Sequence, residues 1–495
     1  MSEFVLAIDQ GTTGSTVALV DAQGQLCASV NVEFPQHFPK PGWVEHEVED
    51  IWTSVQRALG RLLRKKICKP SQIVAIGITN QRETALLWDR RSGQALHRAI
   101  VWQCRRTADF CAGLRAAGHE EEVRQRAGLV LDPYFTASKF RWLLREVPAA
   151  RRALKAGALA AGTVDSYLLW RMSGGVHRTD VSNAARTSLM NLDTQSWDEE
   201  LLRLFEVPAG ILPEISPCSA VLGHTKGVRG LPDGIPIAGM AGDQQAALFG
   251  QACFSVGDAK CTFGTGSFIV MNTGAERIHS DTGLLTTVAW QLGSAAPVYA
   301  LEGGAFVCGA AVQWLRDGLG LIRRAPDIEA LAASVPDHGG VEFVPALTGL
   351  GAPHWAADAR GLICGVTRGT TKAHIARATL DAMALQNVDI LVSMETDLGR
   401  RMRPLRVDGG AATNDLLMQC QADYLGRRIV RPRIIETTVA GASYLAGLGV
   451  GLWKSTADIR RIWQPEREFH VGMNPAARRR RRASWDQAIA RTLAS

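Results

Sequence analysis

Residues 4–21, FVLAIDQGTTGSTVALVD, hold two short β-rich runs, Phe4 to Asp9 and Ser15 to Asp21, around the segment Gln10-Gly11-Thr12-Thr13-Gly14. Aliphatic and β-branched residues on both sides of a small, hydroxyl-bearing tip predict a β-hairpin. The same grammar restarts at Ala259 to Phe263, followed by Gly264-Thr265-Gly266-Ser267 and then Phe268 to Asn272. Two such hairpins predict two similarly built halves, with a boundary near Phe249 to Phe254. The length agrees, because 495 residues exceed the roughly 250–300 at which one hydrophobic core stops growing.

Between the hairpins a further strand is predicted at Ile73 to Thr79, with others at Ala85 to Trp88 and Ala99 to Trp102. Helical periodicity fits Ile51 to Leu63, Ser138 to Arg145 and a segment ending near Trp170. Later in the chain, helices are predicted at Gly309 to Asp317 and His374 to Met394, and one beginning near Asn414 after the turn Asp408-Gly409-Gly410-Ala411. No fixed repeat period is present, which argues against a solenoid.

Composition narrows the function classes. Hydrophobic residues at 46% and charged residues at 21% describe a folded globular chain and exclude disorder, collagen and coiled coil as global descriptions. The net excess of seven positive charges would suggest a nucleic-acid partner, but five of the positives form the single run Arg478 to Arg482. Aromatics are only 6% and do not interleave with it, so the run reads as the solvated face of a C-terminal helix and no nucleic acid is expected. Ten cysteines without a C-x-x-C pair or a Cys/His cluster at zinc spacing read as reduced thiols of a cytoplasmic enzyme. The first residues lack a basic region followed by an apolar core, so no signal peptide is expected. The uncharged stretch Thr437 to Trp453 is too short and too rich in Gly and Ala for a membrane span and is predicted as a buried helix.

Several segments could carry chemistry. Asp9 ends a strand just before Gly11-Thr12-Thr13-Gly14, where glycines let backbone N–H groups approach phosphate oxygens and Thr hydroxyls add donors. One such tip also suits an ordinary hairpin, whereas two facing tips could clamp a polyphosphate. The P-loop pattern is absent, since no Gly-Lys dipeptide occurs. Asp408-Gly409-Gly410-Ala411 is either a plain tight turn or a strand-to-helix junction open to a phosphate or a flat ring. Asp243, in Gly239-Met240-Ala241-Gly242-Asp243-Gln244-Gln245, suits a helix cap or a general base. Asn80-Gln81-Arg82-Glu83-Thr84 groups an amide, a guanidinium and a carboxylate at a strand exit, which suits hydroxyl recognition or a surface ion pair. Trp102, in Trp102-Gln103-Cys104-Arg105-Arg106, reads as core or as part of the same site.

Taken together, these segments resemble the FGGY carbohydrate kinases from end to end of the chain. The matching stretches are IDQGTT (8–13), TNQRET (79–84), VWQCRRT (101–107), AGDQQAALFGQ (241–251), FGTGSF (263–268), GVTRGTTKAHIARA (365–378) and VDGGA (407–411) with Asn414. TNQRET and WQCRRT are similar to the stretches of members that act on glycerol rather than on a pentulose or gluconate. The resemblance implies an α/β, two-domain actin- and hexokinase-like (ribonuclease H-like) ATPase fold, with ATP and substrate meeting in a central cleft. The domains would be 1–252 and 253–495. It implies phosphorylation of glycerol by ATP to sn-glycerol 3-phosphate, in the cytoplasm, by a homo-oligomer, dimer or tetramer. The alternatives are a family kinase for a longer polyol or ketose, and an actin-fold ATPase that works on a protein partner.

Residue by residue, the resemblance places Arg82, Glu83, Trp102, Tyr134 and Asp243 around glycerol, with Gln244 beside them, Phe268 across the cleft and Asp243 as the base. It places the nucleotide at Thr12, Thr13 and Gly14, at Thr265, and at Gly309, Gln313, Gly410 and Asn414. Mg²⁺ is implied near Asp9, held through water. The chain departs from the family twice. The pattern GTTSSR at the first tip is here Gly11-Thr12-Thr13-Gly14-Ser15-Thr16, which loses a serine and an arginine that face phosphate. An arginine nine residues before the aspartate, which bacterial members use to bind an inhibitory sugar bisphosphate, is here Gly234.

Overall fold

The computed structural model describes residues 3–494. Phe4–Gln10 (β1) and Gly14–Asp21 (β2) form the first hairpin, continued by Leu26–Glu33 (β3) in an antiparallel meander. β1 is buried along almost its whole length, as befits a strand covered on both faces, and pairs in parallel with Ile73–Asn80 (β4). Ser219–His224 (β5) and Pro236–Gly242 (β6) complete a six-stranded sheet of order β5-β6-β4-β1-β2-β3, with β6 parallel to β4.

The second sheet repeats this wiring. Ala259–Phe263 (β7) and Ser267–Gly274 (β8) form the second hairpin, extended on the β8 side by Val298–Ala305 (β10) and then Leu285–Trp290 (β9). On its other side β7 takes a parallel partner, Leu405–Asp408 (β11), followed by Ile429–Pro432 (β12) and the edge strand Pro465–Phe469 (β13). In both sheets a hairpin's first strand has its antiparallel mate on one side and a parallel strand on the other. Parallel strands present their carboxyl ends together, where α/β sheets place ligands. The carboxyl ends of β1, β4 and β6 carry Asp9, Asn80 and Gly242, and those of β7 and β11 carry Phe263 and Asp408.

Helices occur where periodicity predicts them, with ends moved by up to four residues: Val48–Leu63, Thr136–Glu146, Val164–Ser173, Gly309–Asp317 and Lys372–Leu398. One strand is shorter than predicted. Ala99–Ile100 holds only two residues, so Trp102 lies in the turn beyond it and its ring is not locked in a strand face. Thr437–Gly449 is a buried helix, and no helix among the described residues is long and apolar enough to cross a membrane. All ten cysteines are free thiols, buried except for Cys27, Cys68 and Cys364.

That buried helix returns from the second half to cover the first sheet. A Cβ on Gly77 or Gly239 would overlap its backbone at Ala442 or Ala446, and one on Gly441 would overlap the carbonyl oxygen of Ala246, in the helix Asp243–Gly250. Glycine is therefore required at Gly441 by helix-to-helix contact rather than by backbone angle. An alanine in an ordinary helix position stabilises by roughly 1 kcal/mol over glycine. At this contact the sign reverses: Gly441→Ala is expected to destabilise by about 1–3 kcal/mol, the usual cost of overpacking, seen as a lower urea midpoint.

The arginine run departs from the solvated face expected of it. It lies on Pro475–Leu493, but Arg481 is buried and its Nη1 donates to both carboxylate oxygens of Glu342 at 2.6 and 2.8 Å, while Arg482 reaches Asp389 at 2.8 Å. Only Arg479 and Arg480 are exposed, because this helix packs on the second core and needs counter-charges for the arginines it turns inward.

Candidate active site

The exit of β4 makes the first wall. Arg82 and Glu83 lie just past the end of β4, after Gln81, and both are buried. Glu83 has a φ of 61°, a left-handed conformation that costs a non-glycine residue about 1–3 kcal/mol and persists only when its surroundings hold it. Here its carbonyl oxygen accepts from Lys139 Nζ at 3.0 Å and Thr136 Oγ1 at 3.2 Å, and its carboxylate accepts from Arg186 Nε at 2.7 Å. Arg82 Nε lies 3.0 Å from Asp243 Oδ1, and Nη2 donates to Tyr134 Oη at 3.3 Å.

Asp243 opens the helix Asp243–Gly250 straight after β6, so its carboxylate sits at a helix N-terminus, where the dipole favours the anion. Its side chain keeps 29% exposure among buried neighbours, the accessibility a group needs to meet a substrate. Three rings close the space: Trp102 stands edge-on to Tyr134 at 5.6 Å between centroids, and to Phe268 at 6.2 Å from the second half. Burial raises the Tyr134 phenol, so it remains a neutral donor. Gln244 Oε1 accepts from Lys260 Nζ, and Lys260 also donates to Thr262 Oγ1 at 2.8 Å.

The predicted phosphate positions fall on the two tips and beside them. Gly11 N donates to Gly14 O at 2.9 Å, and Trp102 Nε1 donates to Thr12 Oγ1 at 2.9 Å, tying the first tip to the aromatic wall. Thr265 O accepts the N–H groups of Cys308 and Ala310, and Gly309 N donates to Gly264 O at 3.0 Å, so the helix carrying Gly309 and Gln313 starts against the second tip. Gly410 follows Gly409, whose φ is 86° and whose Cβ would strike the Phe263 backbone. Asn414 caps the next helix, Asp415–Leu425, through Leu417 N at 2.8 Å. Gly14 explains part of the first departure from the family pattern. A Cβ there would meet Val32 O at 3.0 Å and the Asn31 side chain at 3.2 Å, and Asn31 Nδ2 instead donates to Thr16 Oγ1 at 3.0 Å.

Asp9 Oδ2 accepts from Thr438 Oγ1 at 2.9 Å. Burial, with the charges of Asp243 and Glu436 adding to it and the Thr438 hydrogen bond opposing, pushes the Asp9 carboxyl up to about 7. A buried carboxyl whose charge is disfavoured by burial and by two neighbouring carboxylates suits a hard divalent cation. Among the described residues no group of three or more His, Cys, Asp or Glu side chains is placed to hold a metal ion by itself.

Three side chains of this cleft, those of Glu302, Arg186 and Lys260, have no assignment from sequence, and Asp408 has only that of its turn. Glu302 on β10 takes both Nη nitrogens of Arg82, and Arg186, fully buried, links Glu302 to Glu83. Lys260 supports Gln244, and Asp408 accepts from Thr262 Oγ1 at 2.5 Å and from Gln251 Nε2 at 2.8 Å. A signal existed for two of them: Glu302 and Lys260 are lone charges inside apolar strands, where an unpaired charge would not persist.

Comparison with known proteins places this geometry. The N-terminal domain of the FGGY family of carbohydrate kinases matches residues 4–250, and its C-terminal domain matches residues 259–450. The chain is similar to a glycerol kinase of Bdellovibrio bacteriovorus, 60% identical over 492 residues, 99% of each chain. It is similar to one of Myxococcus xanthus at 54% identity over the same share of each. Among solved structures it superposes on a Plasmodium falciparum glycerol kinase with ADP at a TM-score of 0.91 and 35% identity, covering 99% of this chain and 98% of that one.

Proposed function

This chain belongs to the FGGY family of carbohydrate kinases, and from that premise we infer that it transfers the γ-phosphoryl group of ATP to a terminal hydroxyl of glycerol. The observation that carries the reading is Arg82 Nε beside Asp243 Oδ1 at 3.0 Å, at the neighbouring carboxyl ends of β4 and β6. A donor and a base side by side are what a vicinal diol needs: Arg82 and Glu83 orient the hydroxyls, and Asp243 takes the proton of the one that attacks. Trp102, Tyr134 and Phe268 supply apolar faces for the carbon backbone and confine the pocket to a short polyol, which favours glycerol over a ketose.

ATP would lie with its phosphates between the tips at Thr12, Thr13, Gly14 and Thr265, and its nucleoside toward Gly309, Gln313, Gly410 and Asn414. Backbone N–H groups and Thr hydroxyls at the tips meet charge as it develops on the transferring oxygens. Asp9 would hold Mg²⁺ through water, and the ion would neutralise phosphate charge when bound. The boundary at residues 252 and 253 separates the two sheets, and the enzyme works in the cytoplasm as a homo-oligomer. A coupled ADP-release assay tests the reading. Release that needs glycerol supports it; glycerol-independent turnover, or preference for a longer polyol or a ketose, overturns it.

Regulation follows from Gly234. It is exposed, has a φ of 90°, lies next to Asp233, and no atom stands within 4 Å of where its Cβ would be. A phosphate held there would lose a bidentate arginine contact and face a carboxylate instead. Millimolar fructose 1,6-bisphosphate is therefore expected to leave glycerol phosphorylation unchanged at saturating ATP. Inhibition abolished in Arg229→Ala would show that the exposed Arg229 has taken over the role.

A further inference from the structure

We infer that Glu302, supplied by the second half of the chain, is the positioning residue that aims Arg82 at the substrate hydroxyls and, through Arg186, sets Glu83. The inference rests on the glycerol reading above. Arg82 Nη1 donates to Glu302 Oε2 at 2.6 Å and Nη2 to Oε1 at 2.9 Å, a two-point fork from β10 to the exit of β4. Such a fork fixes both the plane and the rotation of a guanidinium, which a single contact cannot do.

With the two Nη ends held, the Nε edge is left facing Asp243 at 3.0 Å, and the remaining hydrogen of Nη2 points to Tyr134 Oη at 3.3 Å. Substrate hydroxyls must approach that edge if Asp243 is to take a proton from one of them. Arg186 completes the arrangement: its Nη2 lies 3.2 Å from Glu302 Oε1 and its Nε donates to Glu83 Oε1 at 2.7 Å. Arg82 Nε in turn lies 3.9 Å from Glu83 Oε1. Arg82, Glu302, Arg186 and Glu83 thus alternate in sign around a closed ring, and all four are buried.

Glu302 is the one member of the ring from the second half. Against burial, which raises it, the Arg186 and Arg82 guanidiniums hold its carboxyl down to about 2, so it stays charged throughout the working range. The half that carries most nucleotide positions therefore shapes the polyol site through Glu302 as well as lending Phe268 to its wall.

Steady-state kinetics of wild type, Glu302→Gln and Glu302→Asp, with glycerol and ATP varied separately, test the inference. Gln keeps the shape but removes the charge and turns one acceptor into a donor against Arg82. Its KM for glycerol is expected to rise on the order of 10²-fold, as for loss of a buried charged hydrogen bond, with the KM for ATP within about threefold. Asp keeps the charge one methylene short and should lie between wild type and Gln. If Glu302→Gln is not recovered folded, the same split in Glu302→Asp carries the test. A glycerol KM within about threefold of wild type, or equal rises for both substrates, overturns the positioning role. Failure of wild type itself to release ADP on adding glycerol would instead overturn the glycerol reading.

Discussion

Asp243→Asn is expected to lower kcat by about 10²–10⁴, the usual worth of a positioned general base, while leaving ADP binding within a few-fold of wild type. The geometry supports a clean substitution. Asp243 is the first residue of its helix, its Oδ1 accepts the Gln244 N–H at 2.7 Å, and an asparagine oxygen can accept the same bond. Arg82 also stays buried and paired, because its fork to Glu302 does not involve Asp243. What the amide cannot do is take a proton from the attacking hydroxyl. Pre-steady-state ADP formation at saturating glycerol and ATP measures this directly, and near-wild-type turnover would remove Asp243 from its role.

The substitution also separates base catalysis from orientation. Asp243 carries charge next to Arg82, so its loss leaves the guanidinium with Glu302 as its closest acid, and glycerol should bind at most several-fold less well. A kcat effect much larger than the KM effect is the signature of an interaction made chiefly in the transition state.

How much of this could be read from sequence depended on whether the signal was local. Both hairpins were legible because strand, glycine tip and strand are contiguous, and the tips at Gly11 and Gly264 are where they were expected. So were the exits at Arg82 and Asp243, since each lies within two residues of a strand's end. Less legible was anything decided by packing between distant segments. Glu302 reaches Arg82 across 220 residues, and Thr438 reaches Asp9 across 429. No periodicity encodes such a meeting; only the oddity of a charge in an apolar strand hints at it. The arginine run misled for a related reason: a block of like charge normally stays in water, yet Glu342 and Asp389, far away in sequence, draw Arg481 and Arg482 inward.

Arg82→Ala is expected to raise the KM for glycerol by 10²-fold or more, an order of magnitude drawn from the loss of charged hydrogen bonds, with a far smaller effect on ATP. The asymmetry follows from where the side chain sits. Its donors face Asp243, Tyr134 and Glu302, whereas the tips and helix starts assigned to the nucleotide hold their geometry through their own backbone bonds at Gly11, Gly264 and Gly309. Stability should fall as well. Without Arg82, Glu302 is left with Arg186 at 3.2 Å and the more distant charge of Lys260, and breaking a buried ion pair from one side costs about 3–5 kcal/mol. The two effects can be told apart with Arg82→Lys. A lysine restores a positive charge near Glu302 but offers one point in place of a fork, so it should recover much of the stability and little of the glycerol affinity. Calorimetric titration of each variant with glycerol and with ADP, alongside thermal unfolding, gives all the readouts. Equal weakening of both ligands in Arg82→Ala, or full recovery of glycerol binding in Arg82→Lys, would mean that the buried charge alone matters and that the directed edge of the guanidinium does not.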